Sequence, residues 1–101
     1  MSKLDISVPH SLPRDEAQAK IKNLLASLQQ EHKDTIQGVT EEWNGYEGKF
    51  SFKVKGMEVA GLLSVEPDHV RLESDLPFMV SFFKDTIANI IKDRAGKLLA
   101  N

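Results

Sequence analysis

Hydrophobic and polar residues alternate at the start of the chain and again through its middle. Leu4, Ile6 and Val8 alternate with polar residues until Pro9, and this period of two is typical of a half-buried strand. Four further segments between residues 39 and 73 show the same alternation. Each predicts a strand with one apolar face. The positions that share a face in these four segments are Val39, Glu41 and Trp43; Phe50, Phe52 and Val54; Met57, Val59, Gly61, Leu63 and Val65; and Val70 and Leu72.

The segment after the first strand has helical spacing instead. Ser11 is the predicted N-cap, and Pro13 suits the first turn of a helix. The apolar stripe predicts a helix that continues to about Gln37, with Gly38 as its stop signal. The stripe consists of Ala17, Ile21, Leu24, Leu25 and Leu28.

A second helical segment follows the last strand. Asp75 is the predicted cap, and the helix is predicted from about Leu76 to Ala95, with Gly96 as the candidate end or a continuation to Leu99. Its predicted core stripe contains Met79, Val80, Phe83, Ile87, Ile90 and Ile91.

Turn residues separate the four middle strands, at Asn44-Gly45, Lys55-Gly56 and Pro67-Asp68. The order strand, helix, four strands, helix predicts an α+β, two-layer sandwich in one domain, residues 1–101. We expect a mostly antiparallel five-stranded sheet with both helices on one face, a four-strand meander and the first strand beside the last. By analogy this is a reduced helix-grip arrangement, in which a curved sheet wraps a C-terminal helix.

The composition excludes cysteine-based chemistry and gives no sign of a membrane-spanning or secreted protein. The 101 residues include 41% hydrophobic and 28% charged residues and no cysteine, which excludes disulfides, a thiolate nucleophile and cysteine-based zinc sites. No apolar run approaches the roughly 20 residues of a transmembrane helix, and the first five residues lack the plan of a secretion signal. We therefore expect a cytoplasmic protein without a transmembrane segment.

The charge distribution argues against nucleic acid as a partner. Residues 38–77 carry four basic and eight acidic side chains, and residues 78–101 carry four basic and two acidic ones. A nucleic-acid-binding surface needs clustered basic residues that neutralise phosphates, and this chain has no such cluster.

Titratable residues give no support for catalysis. His10 lies at a strand–helix corner, where an imidazole most often satisfies backbone groups, and local spacing places no carboxylate or serine beside it. His32 is predicted on the apolar stripe near a helix end, His69 on the polar sheet face, and Glu41 at a solvated edge or near a pocket. No two histidines have metal-binding spacing, and we expect no metal and no cofactor.

Phe78 and Phe82 are the unusual feature of the second helix. They lie four residues apart on its polar side, beside Asp85 and Asn89, whereas one core stripe needs no aromatics there. Burial of the first turn below Pro77 is one explanation. The other is that the pair contacts something apolar, namely a second subunit, a lipid or a polymer surface.

Arg94 lies within the apolar stripe of the same helix. Its stem can follow the edge of the core while its guanidinium reaches the helix end or a sheet-edge acid. The alternative is that Arg94 holds the carboxylate of a ligand, which would require a cavity between helix and sheet.

The whole pattern resembles the polyhydroxyalkanoic acid system proteins, a family of small bacterial proteins of about this length. The resemblance rests on Pro9-His10-Ser11-Leu12 before an amphipathic helix, the meander, and Leu76-Pro77-Phe78 with Phe83-Lys84 and Ile87. It covers roughly residues 3–99. It implies a cytoplasmic bacterial protein at or near a storage-polyester granule. It implies no catalytic residue.

Two functions remain open at this point. In the first, the protein is a non-enzymatic accessory factor that docks on a granule, on a granule protein or on a second copy of itself, through Phe78 and Phe82. In the second, the fold holds a small apolar ligand of acyl or lipid type, or acts on one as a cyclase-like or hydrolase-like enzyme, and Arg94 and His10 are further candidates for a ligand surface.

Overall fold

The computed structural model of the protein describes residues 2–100, so the ends of the predicted domain, Met1 and Asn101, lie outside the described residues. Within this range the chain forms five strands and four helical segments, joined by turns and loops. They follow in the order β1 (Ser2–Pro9), α1 (Arg14–Ile21), α2 (Leu24–Glu31), β2 (Ile36–Asn44), β3 (Glu47–Val54), β4 (Met57–Val65), β5 (His69–Leu76), α3 (Phe78–Ser81) and α4 (Lys84–Leu99).

The strands form one antiparallel sheet in the order β1-β5-β4-β3-β2, which is the predicted meander with the first strand beside the last. The buried apolar residues of every strand face one side, where the helices cover them and build the core. The opposite side carries exposed polar groups, including an ion pair between Arg71 and Asp5 at 2.9 Å. The predicted two-layer α+β architecture is therefore confirmed.

One row of residues across the sheet contains small side chains. Leu4, Ser74, Gly61 and Phe50 are neighbours in register on four adjacent strands. Gly61 leaves room for the Phe50 ring, and the buried Ser74 hydroxyl donates a hydrogen bond of 2.6 Å to the Ala60 carbonyl. This row consequently leaves no room for a larger side chain at Gly61.

The first predicted helix has different bounds in the structure. Pro13 and not Ser11 occupies the N-cap position of α1, so the prediction of Ser11 as the N-cap residue is wrong. The helix also ends at Glu31 rather than at about Gln37, because Ile36 already pairs with Val54 in the sheet.

Gly38 is not a helix stop but part of an irregularity in the edge strand β2. It has a φ of +63°, and the register of β2 against β3 shifts between Gln37 and Thr40. A positive φ suits glycine, and a bulge of this kind interrupts the regular pairing of a strand.

The second predicted helix begins later than expected and ends at the second of its two predicted ends. Asp75 and Leu76 belong to β5, and Pro77 is the N-cap of α3, so the predicted cap at Asp75 and start at Leu76 are wrong. Gly96 lies inside α4, which continues to Leu99, the second of the two predicted ends.

Both long helical segments contain a break. Asn23 N–H bonds to the Lys20 carbonyl and Phe83 N–H bonds to the Val80 carbonyl, so the bond spans three residues instead of four. Each break changes which side chains the following turns present to the sheet.

Candidate functional site

A group of exposed apolar side chains surrounds the break between α3 and α4. We call it the α3 patch and define it as Phe78, Met79, Phe82 and Phe83. Their exposed fractions are 68%, 56%, 69% and 43%, in that order. Solvent-exposed aromatic side chains that lie together mark interaction surfaces more often than scattered ones do.

The α3 patch is exposed because α3 is short and has a single anchor. Val80 is the only buried residue of α3, and it is fully buried. The rings of Phe78 and Phe82 contact each other edge to face, with centroids 5.3 Å apart. The two rings therefore shield each other only in part.

The prediction that Met79 and Phe83 belong to the core stripe is wrong. It assumed an unbroken helix, in which every residue turns by about 100°. The break at Phe83 shifts the phase, so α4 buries Ile91, Ala95 and Leu99 while Met79 and Phe83 face solvent. No glycine or proline marks this break, so the sequence carried no signal for it.

Charge lies at the border of the α3 patch rather than within it. The Lys55 ammonium, on the β3–β4 turn, lies 5.2 Å from the centroid of the Phe83 ring. Residues 78–83 contain no charged side chain. The patch is thus an apolar area with a cation beside it.

Arg94 forms an ion pair with Glu31, the last residue of α2, and its side chain is 22% exposed. The partner is a helix-end acid and not a sheet-edge acid. The Arg94 Nε atom is buried without a hydrogen-bond partner among the described residues. Arg94 lies about 15 Å along α4 from its start at Lys84, so the structure does not bring it to the α3 patch.

His10 is half-buried and contacts backbone groups through both ring nitrogens. Its Nε2 atom is 3.0 Å from the Glu66 carbonyl oxygen, and its Nδ1 atom accepts a hydrogen bond of 3.1 Å from the Leu12 N–H. His10 and Phe78 lie at opposite ends of β5, about 23 Å apart at 3.3 Å per residue. The four predicted surface residues therefore do not form one site.

A cavity of about 160 Å³ lies between α2, β3 and α4. It could not be predicted from the sequence, because it depends on the spacing between elements and not on a motif. His32, half-buried after the C-terminal end of α2, is one of its few polar residues. The lining consists of Leu25, Leu28, His32, Thr35, Ile36, Phe52, Val54, Thr86, Ile87, Ile90 and Ile91.

Glu41 lies on the inner face of β2, where it is opposite Phe50. Burial raises the pKa of its carboxyl group above the ordinary value of 4.5, and the Lys22 charge offsets part of this effect. A carboxyl group with a raised pKa in the fold costs stability while it is ionised, and the cost disappears as the pH falls and both states become protonated.

We expect Glu41→Gln to raise the free energy of unfolding at neutral pH, since it removes the ionised group. The gain should vanish as the pH falls below 4.5, the ordinary value at which the unfolded chain is protonated. Urea unfolding at a series of pH values measures this, with Glu42→Gln on the outer face as the control. An equal gain at every pH would contradict the prediction.

Two further properties bear on the kind of site. Among residues 2–100, no three histidine, aspartate or glutamate side chains come together in a way that could hold a metal ion. Nor does any helix in the described part of the chain have the length and apolarity needed to cross a membrane.

Comparison with known proteins gives one family and one fold. The model of the family described as "Putative polyhydroxyalkanoic acid system protein" matches residues 4–99. No curated protein matches the chain. Among solved structures, the crystal structure of Ara h 8.0201 has a TM-score of 0.56 at 14% identity and covers 99% of each chain. That of TTHA0849 from Thermus thermophilus has a TM-score of 0.36 at 9% identity, with 97% of this chain and 92% of that chain covered. The likeness to Ara h 8.0201 shows that the chain has the same helix-grip fold.

Proposed function

Because the chain belongs to the putative polyhydroxyalkanoic acid system protein family, which matches nearly its whole length, we propose that it is a non-enzymatic accessory protein that binds the surface of storage polyester. The observation that carries the proposal is the exposure of the α3 patch, above all of Phe78 and Phe82. On this proposal the protein works in the bacterial cytoplasm, at the granule.

The chemistry of a polyhydroxyalkanoate surface fits the α3 patch. Such a polymer presents aliphatic groups and ester carbonyl oxygens, and no charge along its chain. The two phenylalanine rings offer apolar contact area, and the Lys55 ammonium beside Phe83 offers a donor for an ester oxygen. Since residues 78–83 carry no charge, contact requires no buried charge at the centre of the patch.

The contribution of Phe78 and Phe82 to the binding free energy follows from how much of each ring is exposed. Complete burial of a phenylalanine side chain is favourable by roughly 1.5 to 3 kcal/mol. About two thirds of each ring is exposed, so transfer of Phe78 and Phe82 to an apolar surface is worth about 3 kcal/mol together. That corresponds to roughly a hundredfold change in the partition constant.

We expect Phe78→Ser with Phe82→Ser to lower binding to amorphous poly(3-hydroxybutyrate) particles by roughly a hundredfold. The measurement is sedimentation of purified protein with the particles over a range of particle concentrations. Leu62→Ser is the matched control, because Leu62 is an exposed leucine on the outer face of the sheet and far from α3. Circular dichroism should show that all three proteins are folded.

Two outcomes would contradict the proposal. One is a double variant that binds as the unchanged protein does, and the other is an equal loss in the control. A second copy of the chain is the competing occupant of the α3 patch. Sedimentation velocity tests it: a dimer that only the double variant dissociates, together with particle binding that does not depend on the patch, would overturn polyester binding in favour of self-association.

A specific observation favours a second candidate function. The cavity between α2, β3 and α4 is large enough for a small apolar molecule, whereas a solidly packed interface would have left no space there. No arrangement of nucleophile, base and orienting group accompanies it in the described residues, so the second candidate is a binding function.

A further inference from the structure

The cavity between α2, β3 and α4 has the features of a ligand site. Apolar side chains of α2, β2, β3 and α4 form its walls, and Leu28, Phe52 and Ile91 are among them. All three are nearly fully buried, so the walls are fixed by the core itself. Natural cores are close-packed, and a void of about 160 Å³ is an exception in a domain of this size.

The polar part of the lining is small and carries no fixed charge. It consists of the His32 imidazole and the hydroxyl groups of Thr35 and Thr86. Neither hydroxyl, nor the imidazole, makes a side-chain hydrogen bond within the part of the chain that the structure describes. Thr35 and Thr86 are exposed residues, so they mark where the cavity reaches solvent.

The absence of ionised side chains decides the charge of the ligand. Among residues 2–100, no lysine, arginine, aspartate or glutamate lines the cavity. Burial of a carboxylate without a partner is costly, so a free fatty or hydroxy acid would lack compensation there. A hydroxyl or an ester oxygen, in contrast, needs only one hydrogen bond, which a threonine hydroxyl or an imidazole supplies.

We propose that this cavity binds a short, uncharged aliphatic ester, with its alkyl part among the apolar walls and its oxygen atoms toward His32, Thr35 and Thr86. The volume supports the size of such a molecule, because an apolar cavity of about 150 Å³ holds one benzene. The existence of the site does not depend on the proposed function. The choice of a hydroxy acid ester rests on it, because that ester is the repeat unit of the polymer.

The test compares an ester with its acid. Ethyl 3-hydroxybutyrate and sodium 3-hydroxybutyrate are titrated into isotope-labelled protein, and amide shifts are followed by NMR. We expect the ester to shift amides of residues around the cavity with a dissociation constant on the order of 1 mM. The acid should bind at least tenfold more weakly, and a tenfold difference corresponds to about 1.4 kcal/mol of binding free energy.

Two variants fill the cavity and one is the matched control. Ile90→Phe enlarges a half-buried wall residue, and Thr86→Trp blocks the opening from an exposed position that the fold tolerates. Leu98→Phe makes the same kind of enlargement on α4 at a half-buried residue that does not line the cavity. The first two should abolish the ester-induced shifts, and the control should keep them.

Several results would overturn the inference: no shift with the ester, shifts that lie away from the cavity, equal binding of the acid, or binding that survives both filling variants. Each can be told apart from failure of the proposed function. The double substitution at Phe78 and Phe82 should leave the ester-induced shifts unchanged, and Ile90→Phe, at a half-buried position outside the α3 patch, should leave binding to polyester particles unchanged.

Discussion

Gly61→Ala is expected to cost at least about 3 kcal/mol of the free energy of unfolding, although it adds one methyl group. A Cβ atom at this position would lie 2.8 Å from Cζ of Phe50 and 2.9 Å from Cβ of Ser74, and it would also meet the Glu73 carbonyl oxygen. A backbone oxygen in a paired strand cannot move aside as the end of a flexible side chain does. The whole free energy of unfolding of a chain of 101 residues is roughly 5 to 15 kcal/mol, so this loss is severe.

Urea unfolding followed by circular dichroism measures this loss, and Gly96→Ala is the matched control. Gly96 is an exposed position inside α4, with no atom within 4 Å of an added Cβ. There the same methyl group should stabilise by up to about 1 kcal/mol, because alanine is the better helix former. Equal effects of the two substitutions would show that the row across the sheet is not as tight as described.

Val80→Ala is expected to have the second largest effect, because it removes the one buried side chain that holds α3 to the core. Loss of two buried methyl groups costs about 2 kcal/mol. We further expect α3 amides to exchange with solvent faster than those of α4, since local opening needs few contacts to be broken. Hydrogen exchange and urea unfolding are the two measurements.

The control for Val80→Ala is Met79→Ala, the exposed neighbour in the same turn. It should change stability by less than about 0.5 kcal/mol. If polyester binding needs the α3 patch in its observed geometry, Val80→Ala should weaken that binding although it leaves Phe78 and Phe82 in place. Unchanged binding together with faster exchange would mean that the two rings act without support from the core.

The sheet could be predicted from the sequence because its physical signal is local. Phe50, Phe52 and Val54 alternate with polar residues, and a strand with one covered face requires this alternation. Turn residues such as Gly56, with a φ of +80°, then fixed the order of the strands. The family resemblance stated from short motifs was likewise confirmed over residues 4–99.

The helix breaks could not be predicted, and part of the candidate site was missed with them. Phe83 does not end a helix by its own chemistry. Asn23 is of a residue type that favours helix caps, but its side chain makes no capping hydrogen bond to α2, so we attribute both breaks to how the helices fit the sheet. Phe78 and Phe82 were identified because they lie off the stripe, whereas Met79 and Phe83 were assigned to the core. The cavity depends on distances between α2, β3 and α4 that no local pattern encodes.

The irregularity at Gly38 has a consequence for how copies of this protein can meet. Strand β2 is an edge of the sheet, and regular edges invite intermolecular strand pairing that grows into filaments. The register of β2 shifts between Gln37 and Thr40. The backbone amide and carbonyl groups of a second β2 placed alongside would therefore not all align for hydrogen bonding. The irregularity at Gly38 therefore works against regular pairing of this edge of the sheet with a second β2.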